Sequence, residues 1–147
     1  MAKAAPGRKT AASLGRILIV EDDALLCLAM ETALLDGGAK AVECCATTEA
    51  ALAALEQGRP DVVVIDVHLA DRDDGWAIAE LVTQLGPRAP RIVFSTASPD
   101  AIPPEIAGLG TVIEKPYSPD ELVAVVRGGR KVGLFGRLLG ESTTPVP

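Results

Sequence analysis

Aromatic side chains are scarce in this chain: Trp76, Phe94, Tyr117 and Phe135 are the whole complement of 147 residues, although 48% of the residues are hydrophobic. A core with so few rings has to be filled by Ala, Val, Leu and Ile, which suits helices layered on a Val- and Ile-rich sheet. Histidine is scarcer still, with His68 alone, and Cys27, Cys44 and Cys45 show no metal-ligand spacing. A zinc centre is therefore not expected. An odd cysteine count without a secretory leader points to a reducing compartment, so the expected location is cytoplasmic. Cys27 and Cys44 fall in apolar patterns and are expected to pack as small hydrophobes. No apolar run approaches the length of a membrane span, and no membrane partner is expected.

What the chain does have is acid, unevenly placed. The net charge is −6, yet residues 1–16 hold Lys3, Arg8, Lys9 and Arg16 with no acid, and residues 127–147 hold four basic residues against Glu141. That leaves 6 basic and 19 acidic residues in 17–126, a net charge of −13. Such a core repels nucleic acid and suits a divalent cation.

The length fits about one domain, which can bury roughly two-thirds of its unfolded surface without disulfides or metals as staples. Residues 1–15 are small, basic and unpatterned, and are expected to form a disordered lead. The patterned domain is expected to run over 16–127, and 128–147 to be a short tail with no output domain. Apolar runs at 17–20, 41–45, 62–65, 91–95 and 111–113 predict five strands. Between them lie helical patterns at 24–35, from Thr47 or Thr48 to 57, at 76–85 and around 105–109, with Pro103 and Pro104 keeping the last of these short. A fifth helix opens at SPDEL (118–122), where Ser118 can cap, Pro119 can begin the helix and Glu121 can close a capping box. Strands apolar on both faces imply a parallel sheet covered by helices. The expected fold is α/β, a doubly wound five-stranded sheet of order 2-1-3-4-5, with ligands bound beyond the carboxyl ends of the strands.

Those ends carry polar groups. The first strand runs into Glu21 and Asp22, the third ends in Asp66, the fourth in Ser95 and Thr96, and Lys115 follows the fifth. In this strand order the first and third strands are neighbours, so the three carboxylates converge. At about 5 Å and an effective dielectric near 20, each like-charge pair costs roughly 3 kcal/mol. A cation between them relieves that cost, and an oxygen-only, partly hydrated set suits Mg²⁺. The bland alternative has Glu21 and Asp22 capping the following helix and Asp66 solvated. Lys115 can pair with an oxyanion held at the same rim.

ILIVEDD (17–23), VVVID (62–66), IVFSTA (92–97) and KP (115–116), in this order, resemble the receiver domain of two-component response regulators. The resemblance covers about 16–126 and implies the flavodoxin-like receiver fold. It implies a signalling phosphoacceptor rather than an enzyme: Asp66 takes a phosphoryl group from a histidine kinase or histidine phosphotransferase, with self-catalysed phosphorylation and dephosphorylation. It further implies Mg²⁺ held by Glu21, Asp22, Asp66 and the backbone carbonyl of His68, with Lys115 on the phosphoryl group. For the switch hydroxyl, the FSTA pattern favours Thr96, whereas counting five residues from Pro90 selects Ser95. The output is binding of a downstream protein, relay of the phosphoryl group or its drainage.

Departures from the family pattern are visible. The loop after Asp66 lacks the usual Met-Pro pair, and Asp71, Asp73 and Asp74 read as solvated turn acids. The aromatic residue usual three positions before the lysine is Val112 here. Tyr117 is open to either partner contact or packing, His68 to influencing water attack or to idling at the rim, and Trp76 is expected to anchor the third helix. A Mg²⁺-dependent phosphatase with an Asp nucleophile is an alternative, but such sheets present a second Asp two residues on, where this chain has His68. A receiver-like binding module that is never phosphorylated is the other.

Overall fold

Successive residues of the inner strands feed two separate cores, and that alternation organises the whole domain. The structure, a computed structural model, describes residues 13–67 and 75–128. Five strands, β1 (Gly15–Val20), β2 (Ala39–Cys45), β3 (Val62–Asp66), β4 (Arg91–Thr96) and β5 (Thr111–Glu114), form one sheet in the order β2-β1-β3-β4-β5. Every pairing is parallel. The connections are α1 (Ala24–Asp36), α2 (Thr48–Gln57), α3 (Gly75–Thr83), α4 (Pro104–Ala107) and α5 (Pro119–Val126), with a 3-10 turn at Pro99–Ala101 before α4. The fold class and strand order expected from the sequence are therefore found.

Leu18, Val20, Val63, Ile65, Ile92 and Phe94 pack under α2, α3 and α4. Their immediate neighbours Ile17, Ile19, Val62, Val64 and Val93 pack under α1 and α5. A strand buried on both faces cannot alternate apolar with polar, which is why VVVI reads as an unbroken run. Trp76 packs half-buried against the first core, as expected.

Capping residues place the helix starts. Asp23 accepts hydrogen bonds from the backbone N–H groups of Leu25 (3.0 Å) and Leu26 (3.1 Å) and so caps α1. Thr47 caps α2 through Ala50 N–H, and α5 has the full reciprocal box between Ser118 and Glu121. Gly38, with φ +111°, ends α1 in the left-handed region, where a side chain would be strained. Among the described residues, no helix has a basic residue in its last turn. Arginines from elsewhere do that work instead: Arg91 donates to Val126 O, Arg127 to Gly37 O at 3.0 Å, and Arg59 to Leu85 O at 3.0 Å.

Two sequence expectations need correction. The lead does not reach residue 15: Gly15 opens β1, and Leu14 is buried in the α1/α5 core, because β1 extends toward Ala39 of β2. Cys44 is exposed and Cys45 takes the buried place, since adjacent residues of an edge strand face opposite ways. Cys44 Sγ instead lies 3.6 Å from the carbonyl oxygen of Cys27. Burial pushes the thiols of Cys27, Cys44 and Cys45 up, Cys45 to about 11, so none is poised as a thiolate. Among the described residues, no helix is long and apolar enough to cross a membrane.

Candidate functional site

Because Asp23 caps α1, Glu21 and Asp22 are left for other work. Glu21 directly follows β1, and its N–H extends the ladder to Cys45 O at 2.9 Å, which fixes its backbone. Its side chain is buried, with Oε2 accepting from Asp23 N–H at 3.2 Å. Asp66 is the last residue of the neighbouring β3 and is also buried. Half-buried Asp22 completes the set: Glu21, Asp22 and Asp66 each bring one carboxylate oxygen within 4.8 Å of the others. The convergence expected from strand order is thus present, and the capping alternative fails because the cap is Asp23.

Lys115 reaches the same place from β5. Its N–H donates to Thr96 O at 2.8 Å, holding the chain against the end of β4, and its peptide bond to Pro116 is cis. From there Nζ lies 3.2 Å from Glu21 Oε1 and 3.8 Å from Asp66 Oδ2. Lys115 faces Glu21 and Asp66, yet the crowding of buried carboxylates still shows on Glu21. Burial, followed by the repulsion of Asp66, raises its pKa from 4.5 to about 7, against the opposing pull of Lys115. A carboxylate set this crowded, with oxygen donors alone, fits a hard divalent cation such as Mg²⁺.

Stability should record that crowding. Between pH 4.5 and 7 the folded state holds a proton on Glu21 that the unfolded chain has released, so stability falls as pH rises through this window. In metal-free buffer the loss should reach about 3 kcal/mol at most. It should be absent from Glu21→Gln, and thermal melts of the two proteins at stepped pH measure the difference.

The two hydroxyls at the end of β4 separate by face. Asp66 is in register with Ser95, as Ile65 is with Phe94. Residues side by side in a sheet point the same way, so Ser95 shares the face of Asp66 and Thr96 turns to the other. Both are buried. Thr96 Oγ1 accepts from Ser98 N–H at 2.9 Å, whereas Ser95 Oγ lies 2.8 Å from the Tyr117 hydroxyl. Tyr117 packs against the α1/α5 core, which favours packing over partner contact, and burial pushes its pKa up. Neither this contact nor the capping role of Asp23 was assigned from sequence. The Asp-x-Leu-Leu start of α1 carried the signal for the cap; nothing pointed to the tyrosine contact. His68, Asp71, Asp73 and Asp74 lie outside the described residues.

Residues 17–127 match the family model for the response regulator receiver domain. Among curated proteins, the chain is 35% identical over 128 residues to the phyllosphere-induced regulator PhyR of Methylorubrum extorquens, spanning 82% of this chain and 45% of that one. The chain therefore covers less than half the length of this relative. A CheY-like receiver domain from Methylobacillus flagellatus superposes with a TM-score of 0.69 at 25% identity, over 78% of this chain and 98% of that one. A mutant of the anti-anti-sigma factor PhyR from Bartonella quintana superposes with a TM-score of 0.65 at 22% identity, over 77% and 47% of the respective chains, a likeness of fold alone.

Proposed function

The chain belongs to the response regulator receiver family, and from that premise we propose that Asp66 is its phosphoacceptor, taking a phosphoryl group from a phosphohistidine of a histidine kinase or histidine phosphotransferase. The observation that carries this reading is the meeting of Glu21, Asp22, Asp66 and Lys115, drawn from three strand ends, at one rim.

The Asp66 carboxylate attacks phosphorus, the P–N bond to the donor imidazole breaks, and an acyl phosphate results. Glu21, Asp22 and Asp66 would hold Mg²⁺, with the His68 carbonyl a further ligand; when bound, the metal neutralises charge on the transferring oxygens. Lys115 has its ammonium within ion-pair distance of Asp66 and can follow the phosphoryl group as charge builds there. The hydroxyl role goes to Ser95 rather than Thr96, because Ser95 shares the face of Asp66. Burial of Asp66 limits water around the product and favours positioning over bulk hydrolysis.

A protein donor needs a foothold beside the pocket. Helix α1 starts there and exposes Leu25, Leu28 and Leu35, spaced to share its outer side. Output is phosphorylation-dependent binding of a partner protein.

Incubation with Mg²⁺ and acetyl phosphate, read by intact mass, tests the proposal. One added phosphoryl group is expected, lost in EDTA and labile to hydroxylamine. A wild-type mass that never changes, in protein shown to be folded, would sink it.

A further inference from the structure

Cys44 stands exposed on β2 with its Sγ 3.6 Å from the carbonyl oxygen of Cys27, a buried residue near the start of α1. Sheet register accounts for the meeting. Cys44 pairs with Ile19, which lies in the α1/α5 core together with Cys27, so Cys44 projects toward α1. Cys45 pairs with Val20 and enters the opposite core, which takes it out of reach. Burial raises the thiols of both Cys27 and Cys44, and the next largest influence on each is a hydrogen bond with the other. Both cysteines also line one open cleft of about 430 Å³, bordered by Glu21, Asp22 and Leu28, so small molecules can reach the pair.

We propose that Cys27 and Cys44 are a redox dithiol, a modification site that a low-molecular-weight disulfide such as oxidised glutathione closes to an intramolecular bond between α1 and β2. It does not rest on the role of Asp66. Cys44, the exposed member, gives up its proton and attacks one sulfur of the small disulfide. That S–S bond breaks, and one glutathione leaves as a thiol with the proton. Cys44 now carries the other glutathione in a mixed disulfide. Cys27 attacks the Cys44 sulfur, the second glutathione leaves with the proton of Cys27, and the Cys27–Cys44 bond remains. The protein loses two electrons and two protons, and the small disulfide gains both. The second step is intramolecular, so it outruns attack by a thiol from solution. Thiols held up by burial are poor nucleophiles, so the pair stays reduced in a reducing compartment and closes under a sustained excess of disulfide.

The bond would form beside the acidic rim. Cys27 Sγ donates to the carbonyl oxygen of Glu21 at 3.9 Å, and Glu21 N–H bonds to Cys45 O at 2.9 Å. The backbone of Glu21 therefore lies between the two elements that the disulfide joins. Oxidation removes the thiol proton facing that carbonyl and ties the start of α1 to β2 across the cleft.

Equilibration in glutathione buffers of rising disulfide fraction tests the site. Samples are quenched in acid, labelled with N-ethylmaleimide after denaturation, and read by intact mass and peptide mapping. Reduced protein should take a label on each of its three cysteines. Oxidised protein should take a label on Cys45 alone, weigh about 2 Da less before labelling and yield a Cys27–Cys44 cross-linked peptide. Its melting temperature should rise by about 5 °C or more, because the bond joins residues 17 positions apart that already meet in the fold. Cys27→Ser should stop at a glutathione adduct on Cys44, and Cys44→Ser should gain no adduct on buried Cys27. Full labelling at every ratio overturns the proposal, and so does a glutathione adduct that persists on wild-type Cys44. A link through Cys45, or between two molecules, overturns it as well. A lower melting temperature on oxidation would show that the two sulfurs have to be dragged together, against the proposal. The wild-type measurements decide without any variant having to fold.

Discussion

Asp66→Asn is expected to abolish phosphoryl gain, by a factor of at least about 10³ in rate, while leaving the fold intact. The amide is nearly isosteric with the carboxylate but offers no anionic oxygen to attack phosphorus. The change should also relieve the pocket. Asp66 is the neighbouring charge that raises Glu21, so its removal lets Glu21 ionise more readily with Lys115 still 3.2 Å away. Metal-free Asp66→Asn should therefore be as stable as wild type or more so, by about 1 kcal/mol at pH 8. Intact mass after acetyl phosphate treatment and a thermal melt check both halves. A phosphoryl group still appearing on the variant would move the acceptor elsewhere in the chain.

Lys115→Ala carries the largest expected cost in stability. Its ammonium neutralises Glu21, a buried carboxylate, and stands beside Asp66, another. Breaking a buried pair by removing one partner costs about 3–5 kcal/mol. Lys115 is 24% exposed, so water can enter in its place and about 2–3 kcal/mol is the better expectation here. The loss depends on pH in a definite sense. Glu21 has to be charged for the missing lysine to matter, so the cost should be largest above pH 7 and shrink toward pH 5, where Glu21 is protonated. Mg²⁺ should recover part of it at pH 8 by supplying positive charge to the same oxygens. Melts of variant and wild type at pH 5 and 8, with EDTA or Mg²⁺, give the four comparisons. Phosphorylation should slow by about 10²-fold, as expected for removal of a group that meets charge developing on the transferring oxygens. A cost independent of pH would mean that Lys115 contributes through its aliphatic stem and not its charge.

The strand ends were legible because a doubly buried strand advertises its length. The four apolar residues of VVVI can stop only where the chain leaves both cores, and the next residue, Asp66, has to lie at the rim. The same logic located Glu21 and Lys115, and capping chemistry located α5 through Ser118, Pro119 and Glu121. What sequence could not settle was the face of each side chain. FSTA offers two adjacent hydroxyls, and the pairing of Asp66 with Ser95 puts them on opposite faces of the sheet. Cys44 and Cys45 posed the same problem on β2. The contact between Tyr117 and Met30 joins residues 87 apart in the chain with no shared motif, and packing alone brings them together.

Among the described residues, β2 and β5 each pair with a strand on one side only. Backbone groups along such a border can template addition of another chain, which is how sheets stack into aggregates. This domain limits the hazard differently on its two borders. Lys40 and Glu43 stand exposed on β2, so a second copy laid alongside would have to bring charged side chains into the seam. β5 is only four residues long and offers too short a ladder to hold a stranger. A receiver domain with these two borders is thereby kept from joining other chains, or itself, through its main chain.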